Sequence, residues 1–371
     1  LEFWQSSMEG LVKLNSFWQG KRVLITGHTG FKGSWLSLWL QSLGAEVIGY
    51  ALQPPSNPSL FSTAQIADQI ISIDGNILDL QNLSDVFGKY KPELVFHLAA
   101  QTLVRHSYKF PVETLMTNVM GTANVLEATR RSKSIKVVVN VTSDKCYENR
   151  EWVWGYRETE PMGGFDPYSC SKGCAELITS SFRRSYFSEE YSAQIGSVRA
   201  GNVIGGGDWA ADRIIPDCVR AIKNNKTIIL RSPKSIRPWQ HVLEPLFGYL
   251  LLAEKLWNDG SEYAEGWNFG PENQHAWTVE KLVATFCNLW GRDIKWAVEN
   301  QEILHEALYL RLDSAKAYQR LGWRSILSMQ DTIRMTVDWY RRFYHGEDPR
   351  IITLSQIEKY ESLSKEMQNV R

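Results

Sequence analysis

The chain is poor in cysteine. Its 371 residues hold five, at 146, 170, 174, 218 and 287, an odd number with no CxxC pair among them. That excludes a disulfide framework and points to free thiols in a reducing compartment, the cytoplasm. Cys170 and Cys174 are four apart and share a helix face, but no His or Cys pair at ligand spacing completes a site, so no metal is expected. His97, His106 and His241 likewise meet no zinc spacing, and His97 falls within a strand. Net charge is also lacking, with 41 basic and 41 acidic residues, so there is no electrostatic footprint for nucleic acid. No apolar run approaches the ~18–20 residues of a membrane span. The opening LEFWQSSMEG does not have the basic-then-apolar order of a secretory signal. Met8 reads as the natural start, with the preceding residues left by a cloning vector.

What is present is a soluble composition, 43% hydrophobic and 22% charged, in a chain long enough for two lobes. KRVLITG (21–27) is an apolar, β-rich run closed by glycine, and FKGSWLSLWLQSLG (31–44) has apolar residues at helical spacing. Trp35 and Trp39, one turn apart, are core candidates among fifteen tryptophans, others of which suit a sugar pocket. Strands follow in AEVIGYAL, QIISIDGNILD, PELVFHLAA (92–100), IKVVVNVTS (135–143) and YSAQIGSVRAGN. Long helices are expected over 111–132 and 167–187. The alternation predicts an α/β fold, a doubly wound parallel sheet, with a smaller, loop-rich C-terminal substrate lobe.

Two motifs carry chemistry. Gly27, Gly30 and Gly33 form GxxGxxG between the first strand and helix. The first permits a tight turn, the second lets a pyrophosphate approach the backbone, and the third allows close helix packing. The helix start turns free N–H groups and a positive dipole end toward phosphate. Far downstream, DPYSCSK places Tyr168 and Lys172 on one helix face. An ammonium beside a phenol favours the phenolate, which makes Tyr168 a candidate general base on an alcohol. Together they predict nicotinamide-dependent chemistry at a hydroxyl. The domains expected are a lead and tag remnant over 1–17, an NAD-binding Rossmann domain over 18–198 with 240–265 packing on it, a sugar-nucleotide lobe over 199–239 and 266–345, and a polar tail over 346–371, a surface helix or partly disordered.

In order along residues 18–325 run GHTGFKG, DGNILD, HLAAQ, TNVMGT, VTSDKCY, YSCSK, VRAGNVIGGGD, RPWQHV and WNFGP. This set resembles the extended short-chain dehydrogenase/reductases, and among them the nucleotide-sugar 4,6-dehydratases. GHTGFKGSWLSLWL and TSDKCYENREWVWGYRE resemble the branch acting on CDP-glucose. The resemblance implies NAD held by the three glycines, with Asn76 and Ile77 near the adenine and Ala99 and Ala100 passing close to the cofactor. An Asn in a turn is also an ordinary structural residue. The family's acidic residue at the end of the second strand is missing, since that stretch reads GYALQPP. The resemblance further implies that Ser143 bonds the sugar 4-hydroxyl beside Tyr168, and that Asp144 and Lys145 are the acid and base of the elimination. A neutral Lys145 takes the carbon-5 proton; a charged one stabilises the enolate. Asn202 and Arg237 are implied to hold the sugar diphosphate, with Arg213 a second candidate. A homodimer or homotetramer is implied, paired through the two long helices, where Leu115, Met116, Val119 and Val125 offer apolar surface. The implied product, a CDP-4-keto-6-deoxy sugar, feeds bacterial surface polysaccharide (the O-antigen of lipopolysaccharide). The alternatives within the family are a deoxythymidine- or guanosine-diphosphate-hexose 4,6-dehydratase, or a 4-epimerase or simple reductase, which would use the glycine turn and Tyr168–Lys172 without an acid and base at 144–145; a dinucleotide-sensing regulator would keep the glycine turn and lose the catalytic pair.

Overall fold

The computed structural model describes residues 16–188, 193–271, 277–291, 294–298 and 309–369. The expectations for Met8 and for most of the lead lie outside the described residues. The apolar runs become parallel strands: β1 (Arg22–Thr26), β2 (Glu46–Ala51), β3 (Ile71–Asp74), β4 (Leu94–His97), β5 (Val137–Val141), β6 (Gln194–Ala200) and β7 (Gly266–Phe269). They form one sheet in the order β7-β6-β5-β4-β1-β2-β3, parallel throughout. The order reverses between β1 and β4, so a crevice opens at their carboxyl ends, where open α/β sheets bind ligands. β5 and β6 are buried along their whole length, as strands covered by helices on both faces must be. Residues 266–269, assigned from sequence to the substrate lobe, instead complete the sheet as its seventh strand. Trp267 and Phe269 lose all exposure there.

Helix α1 (Phe31–Ser42) is buried from Gly33 to Leu40. The chain's C-terminal helix covers its outer side, so no polar face is needed. Trp35 and Trp39 are both fully buried, as expected of core. The opposite face of the sheet carries α2 (Leu80–Tyr90) and the long segment from Pro111 to Arg131. That segment is not one regular helix. It runs α3 (Pro111–Leu115), a π-turn (Met116–Met120), then α4 (Gly121–Arg131). The widened turn has a local cause, because Asn118 is held from three sides. Its amide accepts from the Gln101 N–H (2.8 Å) and donates to the Gln101 carbonyl (2.9 Å) and to Ser171 Oγ (2.8 Å). Helix α5 (Pro167–Tyr186) follows β5.

Beyond β6, α6 (Ile214–Lys223) and three two-stranded pairs build the smaller lobe: Val203–Ile204 with Gln240–His241, Ile228–Leu230 with Trp296–Val298, and Ile236–Arg237 with Trp277–Thr278. Helix α7 (Leu243–Asp259) packs on β5 and β6, where Leu252 and Leu256 close on Gly196. α8 (Val279–Trp290), α9 (Met329–Tyr344) and α10 (Pro349–Asn369) finish the chain. The segment expected as a polar tail is thus a helix seated on the core. Ile352, Ile357 and Tyr360 are buried, and Trp39 Nε1 donates to Glu361 at 2.7 Å. Among the described residues no helix is long and apolar enough to cross a membrane, and no group of His, Cys, Asp and Glu has the makings of a metal site. The five cysteines are free thiols.

Candidate active site

β1 ends at Thr26 and the chain turns sharply through Gly27, whose φ of +76° disfavours any side chain. A Cβ on Gly27 would stand 2.7 Å from the Ala99 nitrogen, so this glycine lets the ends of β1 and β4 approach. A Cβ on Gly33 would fall 2.1 Å from the Gly27 carbonyl oxygen, so this one lets α1 start against the turn. At Gly30 the added atom would meet only that same oxygen, at 3.3 Å, so its other side is open. No acidic residue occupies the first turn of α1, and no side chain caps it. Open backbone at Gly30 with uncapped N–H groups beside it suits a dinucleotide's pyrophosphate. Ala99 donates its N–H to Thr26 Oγ1 at 3.2 Å, and Ala100 is half-buried beside it. Ile77 packs on Gly121, and its carbonyl accepts from Asn124. Asn76 is exposed and spends its side-chain oxygen on the Leu78 N–H (2.9 Å), as a turn asparagine does.

Tyr168 and Lys172 lie in the first turns of α5. Pro167 opens the helix and Asp166 caps it by accepting from the Ser169 N–H at 2.9 Å. Both side chains are buried, and burial opposes charge on each. It pushes the Tyr168 phenol up to about 12 and the Lys172 ammonium down to about 8. The groups that chiefly favour ionising Tyr168 are the Ser143 hydroxyl, by hydrogen bond, and the Arg213 guanidinium. Lys172 is not among these groups. Burial disfavours its ammonium, which donates to the Val141 carbonyl at 3.4 Å.

Ser143 and Asp144 follow β5 directly. Ser143 Oγ caps the short turn Asp144–Cys146, accepting from the Lys145 N–H (3.2 Å) and donating to Asp144 Oδ1 (2.9 Å). Asp144 is 2% exposed, and its Oδ2 has no hydrogen-bond partner. Burial raises its pKa, while Lys145, the Ser143 hydrogen bond, Arg237 and Lys32 pull it back. Lys145 itself is half-buried. Arg213 is tied to Asp208 (3.0 Å) and Thr102 (3.0 Å), and its charge reaches Tyr168. Arg237 is buried at the start of the Trp277 strand pair. Asn202 is half-buried and its carbonyl accepts from the Gln240 N–H. The structure thus gathers Ser143, Asp144, Lys145, Tyr168, Lys172, Arg213 and Arg237 at the carboxyl edge of the sheet. His97 belongs to the frame: buried, it contacts Thr26 Oγ1 (2.7 Å) and Thr122 Oγ1 (3.2 Å).

Two residues escaped sequence reasoning. Lys32, in the first turn of α1, reaches this cluster, with Nζ 3.5 Å from Tyr249 Oη. Burial, Arg213 and Lys172 hold its ammonium down at about 7. The signal was there, a lysine inside the glycine turn, but such a residue reads as solvated. Glu176, one turn after Lys172, is buried and accepts from Ser197 Oγ (2.7 Å), Arg199 (2.8 Å) and Thr142 Oγ1 (2.5 Å). Burial would raise its pKa, but these partners hold it at about 2. No local pattern marks Glu176, because its partners come from two strands.

The GDP-mannose 4,6-dehydratase family matches over residues 24–336. A CDP-glucose 4,6-dehydratase of Salmonella typhimurium is 54% identical over 351 residues, 94% of this chain and 98% of that protein. A dTDP-glucose 4,6-dehydratase of Haemophilus influenzae is 23% identical, over 86% of this chain and 97% of its own. A solved dTDP-glucose 4,6-dehydratase of Streptomyces venezuelae, crystallised as a double mutant with NAD bound, shares the fold at a TM-score of 0.75 and 22% identity, covering 89% of this chain and 99% of that one.

Proposed function

Because the chain belongs to the GDP-mannose 4,6-dehydratase family, among the extended short-chain dehydrogenase/reductases, we propose that it converts CDP-glucose to CDP-4-keto-6-deoxyglucose and water. The uncapped start of α1 and the open face of Gly30 fit NAD, with Gly27 and Gly33 keeping turn and helix close and Ala99 and Ala100 alongside. Bound there, NAD would supply the hydride acceptor for carbon 4 and the hydride donor for carbon 6. Tyr168, bonded to Ser143, accepts the proton of the sugar 4-hydroxyl. The resulting ketone acidifies the carbon-5 hydrogen. Asp144, whose protonated form burial favours, gives a proton to the departing carbon-6 hydroxyl. Lys145, one residue on, takes the carbon-5 proton when neutral, and a proton goes back to carbon 5 as the hydride reaches carbon 6; when charged, Lys145 holds the enolate. Arg237 and Arg213 supply the positive field for the diphosphate, with Asn202 beside them.

The observation that carries this reading is Asp144, a buried carboxyl with a raised pKa and an unpartnered oxygen in the same cluster as Tyr168 and Ser143. A 4-epimerase needs no acid there. Phe110, Val112, Leu115, Met116 and Met120 are exposed along α3 and the π-turn, and Leu177 and Tyr186 on α5. They form the face on which a second copy pairs, so sedimentation should find no single chains at micromolar concentration. Val125, by contrast, is core. Free thiols fit a cytoplasmic setting. Incubation with CDP-glucose, followed by alkali and a near-ultraviolet reading for 4-keto-6-deoxy sugars, tests the activity. No product from CDP-glucose, or equal product from deoxythymidine-diphosphate-glucose, would count against the substrate assigned.

A further inference from the structure

In a dinucleotide fold the adenosine ribose sits where the second strand ends, and an acidic side chain there accepts from its hydroxyls. Here β2 ends at Ala51, followed by Leu52 and Gln53. The next strand offers what β2 lacks. β3 pairs with β2 in parallel, and in that register Ala51 stands opposite Asp74, the last residue of β3. Residues opposite one another in adjacent strands point to the same face of a sheet. A carboxylate on Asp74 therefore lies one strand over from the missing one, on the same side. Its position is fixed, since Gln53 Nε2 donates to Asp74 Oδ2 at 2.7 Å. Both side chains are exposed. The edge is anchored beneath them: Thr29 of the glycine turn donates to the Leu52 carbonyl (2.9 Å), and His28 contacts Ser72 Oγ on β3 (2.8 Å).

We infer that Asp74, held by Gln53, is the residue that recognises the adenosine ribose of the cofactor and excludes a 2′-phosphate. This inference rests on the NAD-dependent reading above. Asp74 Oδ1 is left to accept from a ribose hydroxyl, and the Gln53 carbonyl oxygen gives a second acceptor for the neighbouring one. A 2′-phosphate in that position would bring like charges together beside an exposed carboxylate, which costs affinity without any steric block.

The test measures binding rather than turnover. NADH and NADPH affinities are read by fluorescence titration for the full chain and for Asp74→Ala, Asp74→Asn and Gln53→Ala, with Asp68→Ala as a control for a nearby exposed charge. A hydrogen bond to a charged partner is worth enough that Asp74→Ala should weaken NADH by about 10–100-fold. Asp74→Asn should lose less NADH affinity and gain NADPH affinity, because it keeps an acceptor and drops the charge. Gln53→Ala should fall between wild type and Asp74→Ala, and Asp68→Ala should match wild type. If Asp74→Ala binds NADH as wild type does and still rejects NADPH, the inference fails while the NAD reading stands. If the wild-type chain binds neither nucleotide, both fail together.

Discussion

Tyr168 and Asp144 are both buried acids pushed toward their protonated forms, yet they are assigned opposite duties. Tyr168 must lose a proton to begin the reaction, so the Ser143 hydroxyl and Arg213 work against its burial. Asp144 must keep one, so burial serves it. This division gives a contrast between two variants. Tyr168→Phe removes the group that accepts the 4-hydroxyl proton and should lower turnover by ~10²–10⁴, with no reduced-nicotinamide absorbance on mixing with CDP-glucose. Asp144→Asn should lose rate over a similar range, but after the oxidation, so that absorbance should build up and persist. If Asp144→Asn shows no such signal, the acid lies elsewhere. Residues of this kind were legible because each belongs to a short contiguous motif: TSDK, YSCSK, or the glycine turn. What stayed hidden was the surroundings of Lys172. Spacing alone puts Lys172 beside Tyr168, and only the fold reveals that its ammonium turns to the Val141 carbonyl.

Elements position these residues through a buried clamp. Glu176 on α5 accepts from Thr142 after β5, and from Ser197 and Arg199 on β6. Arg199 in turn donates to Tyr147, whose hydroxyl bonds Asn268 on β7 at 2.8 Å. One carboxylate thus ties the helix bearing Tyr168 and Lys172 to the strand end bearing Ser143 and Asp144. Its charge also raises the Lys172 pKa against burial. Glu176→Gln should therefore move the Lys172 ionisation from about 8 to lower pH, seen as an acid-ward shift in the pH profile of kcat/KM. A role limited to packing would lower stability and leave the profile in place. Stability should fall as well, by roughly 3–5 kcal/mol, since the Arg199 charge is left buried without its partner. The doubly wound parallel sheet was legible from strand–helix alternation, but its strand order was not. The π-turn at Met116–Met120 was not, because it follows from bonds between Asn118 and residues on two other segments. The seventh strand hid in WNFGP for a similar reason: it joins the sheet only after a long excursion through the smaller lobe.

Across the whole molecule the C-terminal third is fastened at Glu244, on α7. This carboxylate is fully buried, and it accepts from the Ile326 N–H (2.8 Å), the Leu327 N–H (2.6 Å) and Tyr360 Oη (2.8 Å) of α10. A polar-looking tail gave no hint of this, because the apolar residues of α10 are few and Glu244 lies 116 residues from Tyr360. Burial outweighs these donors and the Ser325 side chain, and raises the Glu244 pKa to about 7 from the ordinary 4.5. The folded chain therefore binds more protons at this site than the unfolded chain does between those two values. Stability falls as pH rises through that window, and the loss is complete above about 7. A shift of this size corresponds to a loss on the order of 3 kcal/mol. Glu244→Gln keeps the shape and an acceptor for both N–H groups, and it cannot ionise. The variant should match wild type to within the cost of turning the Tyr360 hydroxyl near pH 4.5, and be the more stable of the two by about that margin near pH 8. Buried His28, His97 and His241, held at about 4, 3 and 3, work in the other direction. They stay neutral in the fold, so acid favours the unfolded chain as pH falls from the ordinary 6.5. Both proteins carry them, so their effect cancels in the difference between urea midpoints taken at each pH. A constant difference across the window, or a variant weaker than wild type at the alkaline end, would show that Glu244 fastens the tail as a permanently charged group.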